Sequence, residues 1–313
     1  MKNQSVAKHF ILFFLLSIYI LSPVKSQDST KFFQHSSEFN SKRFNSVLIS
    51  EIGLYSATMI GLNEAWYKDY PRSSFHFFDD NEEWFLMDKA GHFCTAYYLG
   101  KLGKDVLRWS GVENKKAIIY GGSFGWMFLT SVEILDGFST QWGFSTGDFA
   151  ANAVGSALFI GQELGWKEQR INIKYSFHET EFPQYRKDQL GSTFAEHLIK
   201  DYNGQTYWLS ANISSFLKDE NKFPKWLNVA FGYGADGLLG ARFNPEFNKQ
   251  GIKNTSFERY RQYYFSLDVD LTRIKTKSKF LNTVFQTIGF IKFPAPALEF
   301  NKIDGVKVRG IYF

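Results

Sequence analysis

Near Trp166 the hydrophobic period of this chain changes, and that change limits what it can fold into. Upstream, apolar residues recur with helical spacing over long segments. Downstream they alternate with polar ones, the signature of strands with one apolar face. The order implies an α+β protein. A bundle of about four apolar helices over 46–165 precedes a mainly antiparallel β-rich half over 166–313, either an open sheet or a small barrel.

In the first half, "VLISEIGLYSATMIGLNEAWY" suits one helix, which Glu51 interrupts, and a second is expected over 88–108. "AIIYGGSFGWMFLTSVEILDGF" gives a third, ending near Gly137, and "DFAANAVGSALFIGQELGW" a fourth. Ser145 or Thr146 is placed to cap the fourth, and Asp148 favours its first turn through the macrodipole. These helices are apolar on more than one face, so they are either mutually buried or in contact with lipid. Ala117–Val132 is a sixteen-residue uncharged run, short of the roughly 20 that a span needs. Gly121, Gly122 and Gly125 permit close backbone approach in either solvent.

In the second half, Ile171, Ile173, Tyr175 and Phe177 share one face of "INIKYSF". Tyr207, Leu209, Ala211 and Ile213 alternate with Trp208, Ser210 and Asn212, and Phe265, Leu267 and Val269 with Ser266, Asp268 and Asp270. "WLNVAFGYGADG" and the final "VKVRGIYF" are weaker strands. "STFAEHLIKDY" and "FLNTVFQTIGFI" are amphipathic interruptions. Five or six strands fall short of the eight in the smallest outer-membrane barrels. The chain ends in Phe313, as many such barrels end in an aromatic residue, but a strict alternation sets Arg309 on the face of Ile311 and Phe313.

The N-terminus reads as an export signal over 1–26. A short basic stretch precedes the twelve mostly apolar residues Phe10–Leu21, and small residues lead to Ser26. Twelve residues make about 18 Å of helix, against a hydrocarbon core of roughly 30 Å. A cleaved signal, with a mature chain from Gln27, therefore fits better than an anchor. No cysteine stands near that point for lipid attachment. Residues 27–45 form a polar lead-in. The lone Cys94 has no partner for an intrachain disulfide and sits among apolar residues, as a small core side chain does. Residues 27–165 carry 11 Lys/Arg against 16 Asp/Glu, and residues 166–313 carry 22 against 15. In an exported protein that asymmetry points to contact with anionic lipid or glycolipid headgroups, or simply to a solvated basic face, rather than to nucleic acid. The address is the periplasm or outer membrane, with a multi-span inner-membrane protein as the alternative.

Three helix ends carry polar pairs that an apolar helix does not need. Asp88 and His92 are four apart, Glu133 and Asp136 three, Asp148 and Asn152 four, so each pair shares one helix face. Buried polar groups require partners, and a single cluster of all six would supply them.

"DKAGHFCTAYYLG", "EILDGF" and "GDFAANAVGSALFIG" together resemble the YfiM-like family and, more distantly, the VanZ-like family. The resemblance covers about residues 84–162 and singles out Asp88, Lys89, His92, Glu133, Asp136, Asp148, Asn152 and Gly155. It implies a periplasmic or membrane protein of the envelope: YfiM-like proteins are predicted periplasmic lipoproteins of unknown function, and VanZ-like ones are membrane proteins linked to glycopeptide-antibiotic resistance. This chain differs by its β-rich half and by the missing lipidation cysteine. Its layout resembles Bacteroidetes-type envelope proteins.

Two functions suit these residues. One is a non-enzymatic, membrane-associated structural or interaction protein whose six polar residues form a buried knot, with a lipid or glycolipid surface and another envelope protein as partners. The alternative is a metal-dependent or acid–base enzyme acting on an envelope lipid or glycan. There His92, Glu133, Asp136 and Asp148 would hold a divalent metal such as zinc, manganese or iron, with His76 and Asp79 in reserve. No Gly-x-Ser-x-Gly elbow or phosphate loop is present. His197 reads as a surface helix residue, and Gly232, Gly234 and Gly237 as a turn or bulge.

Overall fold

The computed structural model describes residues 34–68, 70–218, 220, 222–247 and 257–312. The expected export signal, its cleavage after Ser26, the start of the polar lead-in and Phe313 lie outside the described residues. Packing divides the chain into two units. Residues 34–79 go with Thr95–Gly165, and Asp80–Cys94 goes with 166–312.

The first unit is helical. α1 (Ser41–Leu62) begins where the Asn40 side chain accepts the Arg43 N–H at 3.0 Å, satisfying one of the donors a helix start leaves open. It runs into a π-turn, Asn63–Tyr67. β1 is Phe77–Phe78. α2 (Met87–Trp109) belongs to this unit from Thr95 onward. α3 (Asn114–Asp136) contains a π stretch, Ala117–Gly121. β2 (Phe144–Ser145) pairs in parallel with β1 and leads into α4 (Thr146–Gly165).

Glycine sets the α2–α3 crossing. A Cβ on Gly100 would stand 2.6 Å from the carbonyl oxygen of Gly122, and one on Gly125 2.2 Å from that of Ala96. The two backbones therefore touch, and they run antiparallel. Tyr97 and Phe159 pack edge to face beside them, both fully buried. The Ser156 hydroxyl accepts the Trp126 N–H at 3.1 Å. α1 differs: Val47 is its buried residue, while Ile49, Ile52 and Ile60 are exposed. Among the described residues, Asn114–Asp136 is one helix long and apolar enough to cross a membrane, and 33% of its apolar window is buried.

The second unit is built on one antiparallel sheet whose strands follow sequence order. They are β3 (Ile171–Phe177), β4 (Gln205–Asn212), β5 (Leu227–Asp236), β6 (Tyr260–Val269), β7 (Ala295–Asn301) and β8 (Gly305–Tyr312). The two amphipathic interruptions are α5 (Phe194–Lys200), capped by Thr193, and α6 (Lys279–Ile288), capped by Ser278. The sheet is open and does not close into a barrel. Part of its β3 edge is occupied by the segment after α6. There Tyr175 N–H donates to Phe290 O at 2.8 Å, and Lys292 N–H donates to Tyr175 O at 2.9 Å.

The alternation expected for these strands is present, but its sense is the reverse of a soluble one-sided sheet. Along β6 the buried residues are Gln262, Tyr264, Ser266 and Asp268; the exposed ones include Tyr263, Phe265 and Leu267. β4 likewise buries Thr206, Trp208, Ser210 and Asn212 and exposes Leu209. Buried polar groups are tolerated only when they are paired, and these are. Asp268 accepts from Lys174 at 2.7 Å and from the Ser210 hydroxyl at 2.6 Å. Asn228 donates to Ser210 Oγ, and Asn212 donates to Asn228. Lys292 donates to Ser266 Oγ and to the carbonyls of Leu267 and Phe293. The Trp208 indole donates to Ser176 Oγ.

Two local expectations change. The register between β7 and β8 slips, so Ala297 pairs with Arg309 but Ala295 with Tyr312. That irregularity turns Arg309 and Tyr312 to the polar face and leaves Ile311 73% exposed. Arg309 accordingly reaches Glu299 at 2.7 Å, and Tyr312 stacks on Tyr264. Strict alternation had put Arg309 with Ile311, because alternation cannot register a slip. Gly232 and Gly234 lie inside β5; a Cβ on Gly232 would meet the Trp208 ring at 2.7 Å. Gly237, at φ +75, makes the turn at its end.

Candidate functional site

The candidate polar residues fall in both units. Glu133, Asp136, Asp148 and Asn152 belong to the first, and Asp88, Lys89 and His92, on the first turns of α2, belong to the second.

In the first unit the site is assembled around Ser145, the last residue of β2, immediately before α4. Its hydroxyl accepts the Asp148 N–H at 3.0 Å, the expected helix cap. Its own N–H donates to Glu133 Oε2 at 3.2 Å, so the end of α3 is tied to the start of α4. Glu133, Asp148 and Asn152 are all buried, the last two one turn apart on α4. Asp136 accepts the Tyr67 hydroxyl at 2.7 Å. Burial, with Asp136 and then Glu133 nearby, pushes the Tyr67 phenol far above its ordinary range, so it stays a neutral donor. Sequence reasoning missed Tyr67, because the pairing spans the whole unit and nothing local marks it.

In the second unit Lys89 stands between two carboxylates, 2.6 Å from Asp80 Oδ1 and 2.8 Å from Asp88 Oδ2. Asp80 is the buried member of the acidic run 79–83. The other oxygen of Asp88, Oδ1, is buried with no hydrogen-bond partner among the described residues. Burial raises the Asp88 carboxyl; Lys89 opposes that and Asp80 reinforces it. The segment is fixed over the sheet by its apolar residues. Met87 packs with Ala235 and Leu238, flanked by Trp84, Phe85, Tyr207 and Tyr233.

The remaining candidates have local roles. His76 is held by Ser73 and Ser74 through Nδ1, and Asp79 is exposed. His197 lies 4.0 Å from Glu179 on α5. The Cys94 thiol is buried and pushed up to about 12, which leaves it protonated and unreactive.

Residues 76–160 match the model of a family described as predicted periplasmic lipoprotein (DUF2279). The matched region spans the Asp88, Glu133 and Asp148 segments and supports an exported, periplasmic protein of an uncharacterised kind. No curated protein and no solved structure matches the chain.

Proposed function

We propose that this chain is a non-enzymatic protein of the cell envelope, YfiM-like and distantly VanZ-like, that associates with a membrane and acts as a structural or interaction protein. The observation behind this reading is how the helix-end carboxylates are used. Glu133 ties α3 to α4, Asp136 holds Tyr67, and Lys89 neutralises Asp80 and Asp88. Polar groups committed in this way fix helix register rather than wait for a substrate. His92, one turn after Asp88 on the same face of α2, is the sixth residue of this reading. The partner is a lipid or glycolipid surface of the outer membrane, with another envelope protein as a further partner. Exposed apolar residues on α1 and on the sheet support this.

One observation favours the enzymatic alternative. A buried carboxylate oxygen with no hydrogen-bond partner, Asp88 Oδ1, suits a general acid, and in that reading His92, Glu133, Asp136 and Asp148 would hold a divalent metal. Metal analysis of the purified protein, with and without chelator, separates the two. The knot predicts no stoichiometric metal, an unchanged Tm in chelator, and a loss of roughly 3–5 kcal/mol in His92→Ala. One metal per chain, lost in a stable His92→Ala protein, would overturn it.

A further inference from the structure

We infer that the second unit carries a binding surface for an anionic phospholipid or glycolipid, with the headgroup phosphate held at Arg259 and Arg261 and the acyl chains lying on the outward face of the sheet. The inference rests on the membrane association proposed above and adds to it the chemistry of the lipid.

The two arginines are the first observation. Arg259 and Arg261 both stack on the Phe85 ring, at 4.8 and 4.4 Å. No carboxylate pairs with either among the described residues. Arg259 donates to the Ala241 carbonyl and Arg261 to the Tyr233 hydroxyl, both neutral acceptors. Arg259 Nε is buried with no hydrogen-bond partner. Two guanidinium groups held side by side on one aromatic ring repel each other unless an anion joins them. A phosphate oxygen is the acceptor that the guanidinium fork fits best. The two side chains open into a cleft of about 380 Å³ that Lys302 also lines, there paired with the exposed Glu258.

The second observation is the order of residues leading away from that cleft. On the outward face β6 presents Arg261, Tyr263, Phe265 and Leu267 in succession. Across the sheet, Tyr263 and Phe300 stand exposed in one row, whose Tyr207 and Tyr233 are packed against Met87, and Leu209, Phe231, Phe265 and Leu298 form the next. Cation, then tyrosine, then hydrocarbon is the sequence met on passing from headgroups into a leaflet. From Tyr263 to Leu267 is about 13 Å of strand, close to the roughly 15 Å depth of one leaflet. Ordinary sheets hide this face. Here the polar face is the buried, fully bonded one, and Phe231, Leu267 and Val308 stand about half or more exposed.

Flotation of the full mature chain with vesicles tests the assignment. Vesicles of phosphatidylcholine alone are compared with vesicles that also contain phosphatidylglycerol. The wild type is expected to bind the anionic vesicles more tightly. Arg261→Gln, at an exposed position that leaves the fold intact, should weaken that binding several-fold. Arg259→Gln combined with Arg261→Gln should weaken it roughly thirtyfold and leave binding to neutral vesicles unchanged. Phe231→Ser with Phe265→Ser should reduce binding to both. Equal binding to neutral and anionic vesicles overturns the headgroup assignment but leaves membrane association standing. Binding to neither overturns both. Protection of the arginines by inorganic phosphate without any vesicle binding would assign the cleft to free phosphate and overturn the lipid.

Discussion

Lys174 Nζ and Asp268 Oδ2 lie 2.7 Å apart with both side chains wholly buried, on the polar face of a sheet whose other face exposes Leu209, Phe231 and Leu267. Breaking such a pair from one side leaves a buried charge uncompensated. Lys174→Met is therefore expected to cost about 3–5 kcal/mol in denaturant unfolding. The lower end is expected, because Lys292 remains 3.9 Å from the other Asp268 oxygen. Lys174→Met combined with Asp268→Leu should recover much of the loss. A double variant as unstable as the single one would show that the pair contributes through geometry rather than charge.

Lys292 gives this polar interior a pH signature. Burial pushes its amine down from 10.5 to about 8, against the pull of Asp268. As pH rises between about 8 and 10.5, the folded chain has already released this proton while the unfolded chain still holds it. The unfolded state binds more protons, so this group's contribution raises stability with pH across that window. Unfolding free energies at the two ends of the window, taken as wild type minus Lys292→Met, should show the rise. Because other lysines and tyrosines titrate in the same range, the difference is the quantity to read. A flat difference would mean the amine titrates normally.

The helices and strands were legible because period and capping are local properties. Ser145 before Asp148, and polar residues spaced by three or four at the ends of apolar segments, needed only the sequence. The sense of the sheet did not follow, since alternation states which residues share a face and not which face is buried. That Lys174 and Asp268 lie inside while Leu209 and Phe231 lie outside is therefore not written in the alternation. The polar side chains that face them from neighbouring strands decide the matter, and those pairings are long-range. Lys89 with Asp80, and Tyr67 with Asp136, escaped for the same reason.

The contact between α2 and α3 leaves no room for a side chain. A Cβ on Gly103 would lie 2.5 Å from the Gly121 carbonyl oxygen, a backbone atom that cannot swing aside. Gly103→Val should force the helices apart and cost at least about 1–3 kcal/mol. Gly161→Ala, where a Cβ meets nothing within 4 Å, should be neutral or slightly stabilising in its helix. Thermal unfolding of the two variants provides the comparison. Equal midpoints would mean the crossing is looser than these distances imply.

Asp88→Asn bears most directly on whether the chain does chemistry. Asp88 has one oxygen on Lys89 and the other buried without a partner, and its carboxyl is raised chiefly by burial. With the folded value above the ordinary 3.8, the folded chain keeps this proton after the unfolded chain has lost it. The stability this group contributes is therefore present at low pH and falls as pH rises through the window above 3.8. Asn keeps the shape and removes the charge. In a structural knot, Asp88→Asn should lose that slope and unfold at neutral pH no more easily than the wild type, since Lys89 retains Asp80 at 2.6 Å. In the enzymatic reading Asp88 serves as general acid and is not a metal ligand, so Asp88→Asn should keep the wild type's metal and its chelator response while function is lost. Unfolding curves across the acid range, run beside metal analysis of the same preparations, separate the two. A stable, metal-free wild type whose acid slope vanishes in Asp88→Asn would establish Asp88 as part of the scaffold.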